Sequence, residues 1–128
     1  MFDPISVATT GRKLNLDSDA RYRFERGLDP ESPAWAAGHI ARMVTEICGG
    51  EASVPVTMGP GVDWKRSIFL GSGKVESLTG MRIDTAEQQR ILEALGFTVT
   101  SADGGFNVAP PSWRGDIDGA ADLVEEIA

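Results

Sequence analysis

Five carboxylates crowd the seventeen residues SWRGDIDGAADLVEEIA: Asp116, Asp118, Asp122, Glu125 and Glu126. Asp122, Glu125 and Glu126 stand at i, i+3 and i+4, so a helix there carries all three on one face. Asp116 precedes that helix by a turn and can fold back toward the same face. Like charges this close repel unless something positive sits among them. Two readings follow. In one, the run is a solvated helix end, capped by Asp118 or Asp116, with its negative charge favoured by the helix dipole. In the other, the carboxylates are oxygen ligands of a hard cation such as Mg²⁺, which takes them at about 2.0–2.1 Å. The residues by themselves leave both readings open, the solvated helix end being the simpler.

Other chemistry-bearing residues are weaker. LGSGKVES resembles a phosphate-binding loop but has Ile68 where the first glycine belongs and Val75 where Ser or Thr belongs, which rejects it. Gly71 and Gly73 then shape a strand-to-helix turn. His39, the only histidine, has no second nitrogen or sulfur ligand nearby, so it is expected as a partly exposed helix residue and zinc is excluded. Cys48, the only cysteine, excludes an internal disulfide and fits a reducing, cytoplasmic setting. It is expected as a buried, inert thiol at the end of an apolar helix face.

The elements that must position these groups can be read along the 128 residues. An apolar content of 41% is that of a globular chain. A net charge of −7 makes a poor partner for phosphate backbones or an anionic membrane. Neither half is basic: residues to 59 hold six basic and eight acidic side chains, the rest six and eleven. No apolar run reaches the length of a membrane span, and MFDPISVATT is no signal peptide.

Pro4 to Leu16 reads as a short helix. RYRFERG alternates, with Tyr22 and Phe24 on one side and Arg21, Arg23 and Glu25 on the other, which predicts a half-buried strand. A helix follows LDPESPAW, with Asp29 or Ser32 as cap and Pro30 or Pro33 in its first turn. Its apolar face is Ala36, Ile40, Met43, Val44 and Ile47, and Gly49-Gly50 ends it. EASVPVTMGPGVD, broken by Pro55 and Pro60, predicts an edge strand and then a linker. SIFL predicts a strand and GSGKVESLTG a short helix. Asp84-Thr85-Ala86-Glu87 has the spacing of a capping box before a helix with Ile91, Leu92 and Leu95 inward. FTVTSADGGFNVAP predicts a hairpin turning at Asp103-Gly104-Gly105. The closing helix is expected to start near Asp118, with Leu123 and Ile127 packed inward. The fold class is α+β, with a boundary near residues 51–62. Helix, helix, hairpin is also the element list of a small winged DNA-binding module. Charge opposes that use, because the helix bearing Arg90 also bears Glu87 and Glu93.

In order and spacing, LNLDSDARYRFERGLDP, ICGGE, ILEALGF and PPSWRGDI…DLVEEIA resemble the beta subunit of bacterial phenylalanyl-tRNA synthetase, over essentially the whole chain. The resemblance implies that residues 1–50 are the C-terminal part of the B-three/B-four domain, here helix-strand-helix. That domain hydrolyses tyrosine wrongly attached to the phenylalanine tRNA. Residues 51–62 are then a linker or edge strand. Residues 63–128 resemble the B-five domain, a winged-helix-like fold truncated in its last helix, so that Ala128 looks like a cut through a helix running on into a larger enzyme. The resemblance also implies a magnesium ion shared with the alpha subunit and held by Asp116, Asp122, Glu125 and Glu126, with Asp118 outside the set. Ser18 and Ala20 match the Thr-Asp-Ala stretch of the editing pocket, with Ser in place of Thr. ATP and the aminoacylation chemistry belong to the alpha subunit, so the chain is expected to support phenylalanyl-tRNA aminoacylation while holding no catalytic residue and being inactive alone. Implied partners are the alpha subunit and, through the intact enzyme, tRNA. Apolar surface around Tyr22, Phe24 and the Ala36–Ile47 face makes self-association a further expectation. The alternatives are a standalone acidic protein-interaction domain and, weaker, a DNA-binding module.

Overall fold

A computed structural model describes residues 2–128. The chain divides into two compact units, Met1–Asp63 and Trp64–Ala128.

The first unit is helical. α1 (Pro4–Lys13) is capped by Asp3, whose carboxylate accepts the Ser6 N–H at 2.8 Å. α2 (Asp19–Phe24) is capped by Ser18, whose hydroxyl accepts the Arg21 N–H at 3.2 Å. The two helices meet where Arg21 crosses Gly11, the buried residue of α1; a Cβ there would overlap the guanidinium. Arg21 also donates to the Leu16 carbonyl and to Glu25.

The strand expected over RYRFERG is therefore a helix as far as Phe24 and a turn beyond it. Its alternation covers too few residues to outweigh a capped N-terminus and two i, i+4 attractions. One is the Arg21–Glu25 ion pair at 3.1 Å; the other puts the Arg26 guanidinium 3.5 Å from the Tyr22 ring centre. Tyr22 is exposed rather than half-buried.

α3 (Ser32–Cys48) starts without a side-chain cap. Ser32 lies inside the helix, and Asp29 accepts from Glu31 in the turn before it, so neither plays the expected role. Gly49 ends the helix with φ 75°. No residue of α3 is buried, so Cys48 is exposed, contrary to expectation. The apolar face that was to cover the thiol is itself uncovered. Residues 51–63 form no strand. Pro55 and Pro60 lack the N–H donors a ladder needs, and the described residues of this unit contain no strand to pair with.

The second unit holds the core. Its elements are β1 (Ile68–Gly71), α4 (Lys74–Thr79), α5 (Thr85–Ala94), β2 (Thr98–Ala102), β3 (Gly105–Ala109) and α6 (Ala120–Ile127). The antiparallel sheet has the order β1-β3-β2. The hairpin turns on Asp103-Gly104 alone, with Gly104 at φ 76°, and Gly105 pairs with both Ala102 and Gly71. Gly105 is needed for close approach: a Cβ there would overlap the Leu70 carbonyl.

Leu70, Val75, Leu92, Phe97, Phe106, Val108 and Ile117 form the core, closed by Leu123, Val124 and Ile127 of α6. α6 packs on α4, α5 and β1. The capping box expected at Asp84 does not form, because Glu87 is held by Arg90 at 2.6 and 2.7 Å instead of reaching back. The architecture is α+β, and among the described residues no helix is long and apolar enough to cross a membrane.

Candidate functional site

The acidic cluster sits where the loop after β3 enters α6. Burial of Leu123, Val124 and Ile127 turns the opposite face of α6, with Asp122, Glu125 and Glu126, away from the core. The loop is fixed from below. Ile117 is buried, and Arg66 donates to the carbonyls of Ile117 and Arg114, each at 2.6 Å.

Arg114 organises the carboxylates. Its Nε and Nη2 reach Asp116 at 2.9 and 2.7 Å. Its Nη1 and Nη2 reach the two oxygens of Glu126 at 2.9 and 2.7 Å. One planar guanidinium thus forks onto two carboxylates, with the Phe97 ring 5.8 Å away. The hydrogen bonds from Arg114 hold both Glu126 and Asp116 below the usual carboxylate range, against a smaller opposing effect of burial. Reciprocally, Glu126 and then Asp116 make the guanidinium still harder to deprotonate.

Asp122 does something else. Its Oδ2 accepts the N–H groups of Asp118 and Gly119, both at 2.8 Å. Gly119 is the N-cap residue, so the carboxylate that satisfies the helix start is Asp122, and neither Asp118 nor Asp116 caps it. Asp118 and Glu125 are exposed. Of the four expected ligands, the structure brings Asp116 and Glu126 together on Arg114, puts Asp122 on the backbone and leaves Glu125 in solvent. Among the described residues no three His, Cys, Asp or Glu side chains gather closely enough to hold a metal ion. The donor chemistry, all carboxylate oxygen, suits Mg²⁺. Two of the four carboxylates, Asp116 and Glu126, have Arg114 between them.

Arg114 and Arg66 are the residues that reading the sequence for ligands missed. Arg114 had a signal: a carboxylate cluster needs a positive partner, and an arginine stands two residues before Asp116.

Ser18 and Ala20 are separated in role. Ser18 caps α2 and lines a groove of about 410 Å³ with Phe2, Thr10, Gly11 and Arg21. Ala20 is exposed on α2 and lies outside that groove.

Comparison with known proteins divides the chain at the same place. Residues 68–128 match the tRNA synthetase B5 domain family, and residues 1–49 match the B3/4 domain family. A phenylalanine--tRNA ligase beta subunit from Cereibacter sphaeroides is 51% identical over 127 residues, 99% of this chain and 15% of that protein. Those of Paramagnetospirillum magneticum and Rhodospirillum rubrum are each 48% identical, over 98% and 99% of this chain and 16% of each relative. Over nearly its whole length the chain is similar to phenylalanine--tRNA ligase beta subunits. It spans about 16% of the length of the curated relatives it matches. The B5 match runs from β1 to the end of α6 and so contains the Arg114 cluster; the B3/4 match contains α1, α2 and α3.

Proposed function

We propose that the chain serves phenylalanyl-tRNA aminoacylation as part of a ligase beta subunit, by structural support rather than by chemistry of its own. The observation that carries this reading is the 48–51% identity over nearly all of the chain to beta subunits of that ligase. On this reading the second unit is a B5 domain of winged-helix-like build, consistent with a hairpin that follows α5. Asp116, Asp122, Glu125 and Glu126 serve as magnesium ligands at a surface shared with the alpha subunit. A bound Mg²⁺ would supply a fixed double positive charge to these carboxylates. Within the chain, α6 displays the acidic residues, Arg66 fixes the loop and Asp122 orders the helix start. Ser18 and Ala20 belong to the wall of a tRNA-editing pocket. ATP is used elsewhere in the parent enzyme, which works with tRNA in the cytoplasm.

The bridging role is tested in the assembled heteromer carrying Asp122→Ala. Reduced subunit assembly or metal content is expected; unchanged values of both would sink the bridging role. The 128-residue chain is expected to release no tyrosine from mischarged phenylalanine tRNA. Detectable release would refute its inactivity.

A further inference from the structure

We propose that α1 and α2 carry a binding site for single-stranded RNA, in which Arg12, Arg21 and Arg26 hold a backbone phosphate and Tyr22 stacks on a base. The choice of RNA rests in part on the reading above, in which the chain serves a tRNA ligase; the phosphate site stands on the geometry alone.

The three arginines line one cavity of about 340 Å³, together with Ala8 and Glu25. Arg12 comes from the last turn of α1, Arg21 from α2 and Arg26 from the turn after it. One carboxylate thus faces three guanidiniums. Glu25 accepts from Arg21 Nε at 3.1 Å and, more weakly, from Arg26 Nη1 at 3.4 Å. The other bonds go to backbone carbonyls: Arg12 to Ala8, Arg21 to Leu16 and Arg26 to Tyr22. Among the described residues, both Nη groups of Arg12 and the Nη2 groups of Arg21 and Arg26 have no acceptor. Like charges around one cavity repel, and its donors outnumber its acceptors. An anion with several oxygens answers both needs, and a phosphate can take two N–H groups of one guanidinium at once. The chain's charge of −7 opposes a long phosphate backbone, but this cavity is a local exception and takes a single phosphate. Tyr22 points from anions in general to nucleic acid. The Arg26 guanidinium lies 3.5 Å from its ring centre and holds the ring in place, while 57% of the residue stays exposed. An exposed aromatic ring beside arginines is a platform for a base. Arg26 belongs to both the cavity and the stack, so a phosphate and its neighbouring base can be met together. Arg21 also lines the groove that holds Ser18, so the phosphate cavity adjoins the wall proposed for the editing pocket.

The test uses the 128-residue chain with two probes, inorganic phosphate and a labelled hexacytidylate RNA. Phosphate is followed through the arginine Nε–H resonances, RNA through fluorescence anisotropy. Phosphate is expected to move the signals of Arg12, Arg21 and Arg26 and to leave those of Arg42 and Arg90 in place. RNA is expected to bind about tenfold more tightly than phosphate, because a base adds its stacking. Added salt is expected to weaken the RNA complex with a logarithmic slope of about −0.7, that of one phosphate on a single strand. Arg12→Gln, which removes a side chain bonded only to its own helix, is expected to weaken both probes about tenfold. Tyr22→Leu is expected to weaken RNA by about the same factor and to leave phosphate binding in place. Phosphate that moves none of the three signals, or all arginine signals alike, overturns the site. RNA binding that survives both substitutions, or an oligoglutamate peptide bound as tightly as RNA, overturns the RNA assignment. Should Arg12→Gln fail to fold, the phosphate shifts in the unmutated chain decide the site and Tyr22→Leu decides the RNA. None of these outcomes alters assembly of the heteromer, so the reading above stands or falls separately.

Discussion

Replacing Glu126 with Gln keeps size and shape and deletes one charge. Glu126 and Arg114 are both about four-fifths buried, with side-chain exposures of 20% and 22%, so water screens their two hydrogen bonds only in part. Hydrogen bonds to charged groups contribute about 1.5–3 kcal/mol, and the Gln oxygen can keep one weakened bond. The expected loss at neutral pH, with EDTA present, is about 2 kcal/mol. For a unit of this size that corresponds to a melting temperature lower by roughly 10 °C. The melt is read through the methyl resonances of Leu92 and Val108, which report the second unit alone. Acid supplies a second check. Arg114 holds Glu126 below its ordinary value of 4.5. A carboxylate depressed on folding contributes its full stability above that ordinary value and loses it as pH falls through the lowered one. The difference between parent and variant should hold above pH 4.5 and shrink in acid. A loss under about 0.5 kcal/mol, the range of an ordinary surface change, would refute the reasoning. So would a gap that does not shrink at all as the pH is lowered into acid.

Three further outcomes are expected. Asp122→Ala removes the acceptor for two backbone N–H groups and should cost about 1–2 kcal/mol; faster amide exchange at Asp118 and Gly119 would locate the loss. Gly105→Ala, forced against the Leu70 carbonyl, should cost over about 2 kcal/mol in a urea melt, more than Gly104→Ala, which meets only backbone strain; equal losses would contradict the close approach. The uncovered face of α3 should make the chain associate with rising concentration, and Ile47→Asp should reverse this in light scattering.

The second unit was legible in the sequence because its local and global signals agree. Val99 and Val108, flanking Asp103-Gly104, specify a hairpin, and the spacing of Leu123 and Ile127 specifies which face of α6 is buried. The first unit was less legible. RYRF alternates like a strand, yet its neighbours in space, Gly11 and Glu25, favour a helix, and alternation in four residues says nothing about neighbours. Cys48 was placed in a core that its unit does not form. At the candidate site, spacing identified which carboxylates share a face. It could not say that Asp122 turns back onto the backbone, because that depends on the φ and ψ of Gly119. Nor could it say that Glu126 reaches an arginine twelve residues earlier in the chain.

α6 supplies three of the core residues and packs on β1, the first strand of its unit. Arg66 binds Ile117 across 51 residues, and β1 pairs with β3 across the two helices between them. Such non-local pairing delays folding until distant segments have met. During synthesis the sheet can pair before residues 120–127 have emerged, whereas the contacts of α6 with β1, α4 and α5 must wait for them. The acidic face of α6 is therefore presented only once the sheet and helices beneath it are there to receive its apolar side.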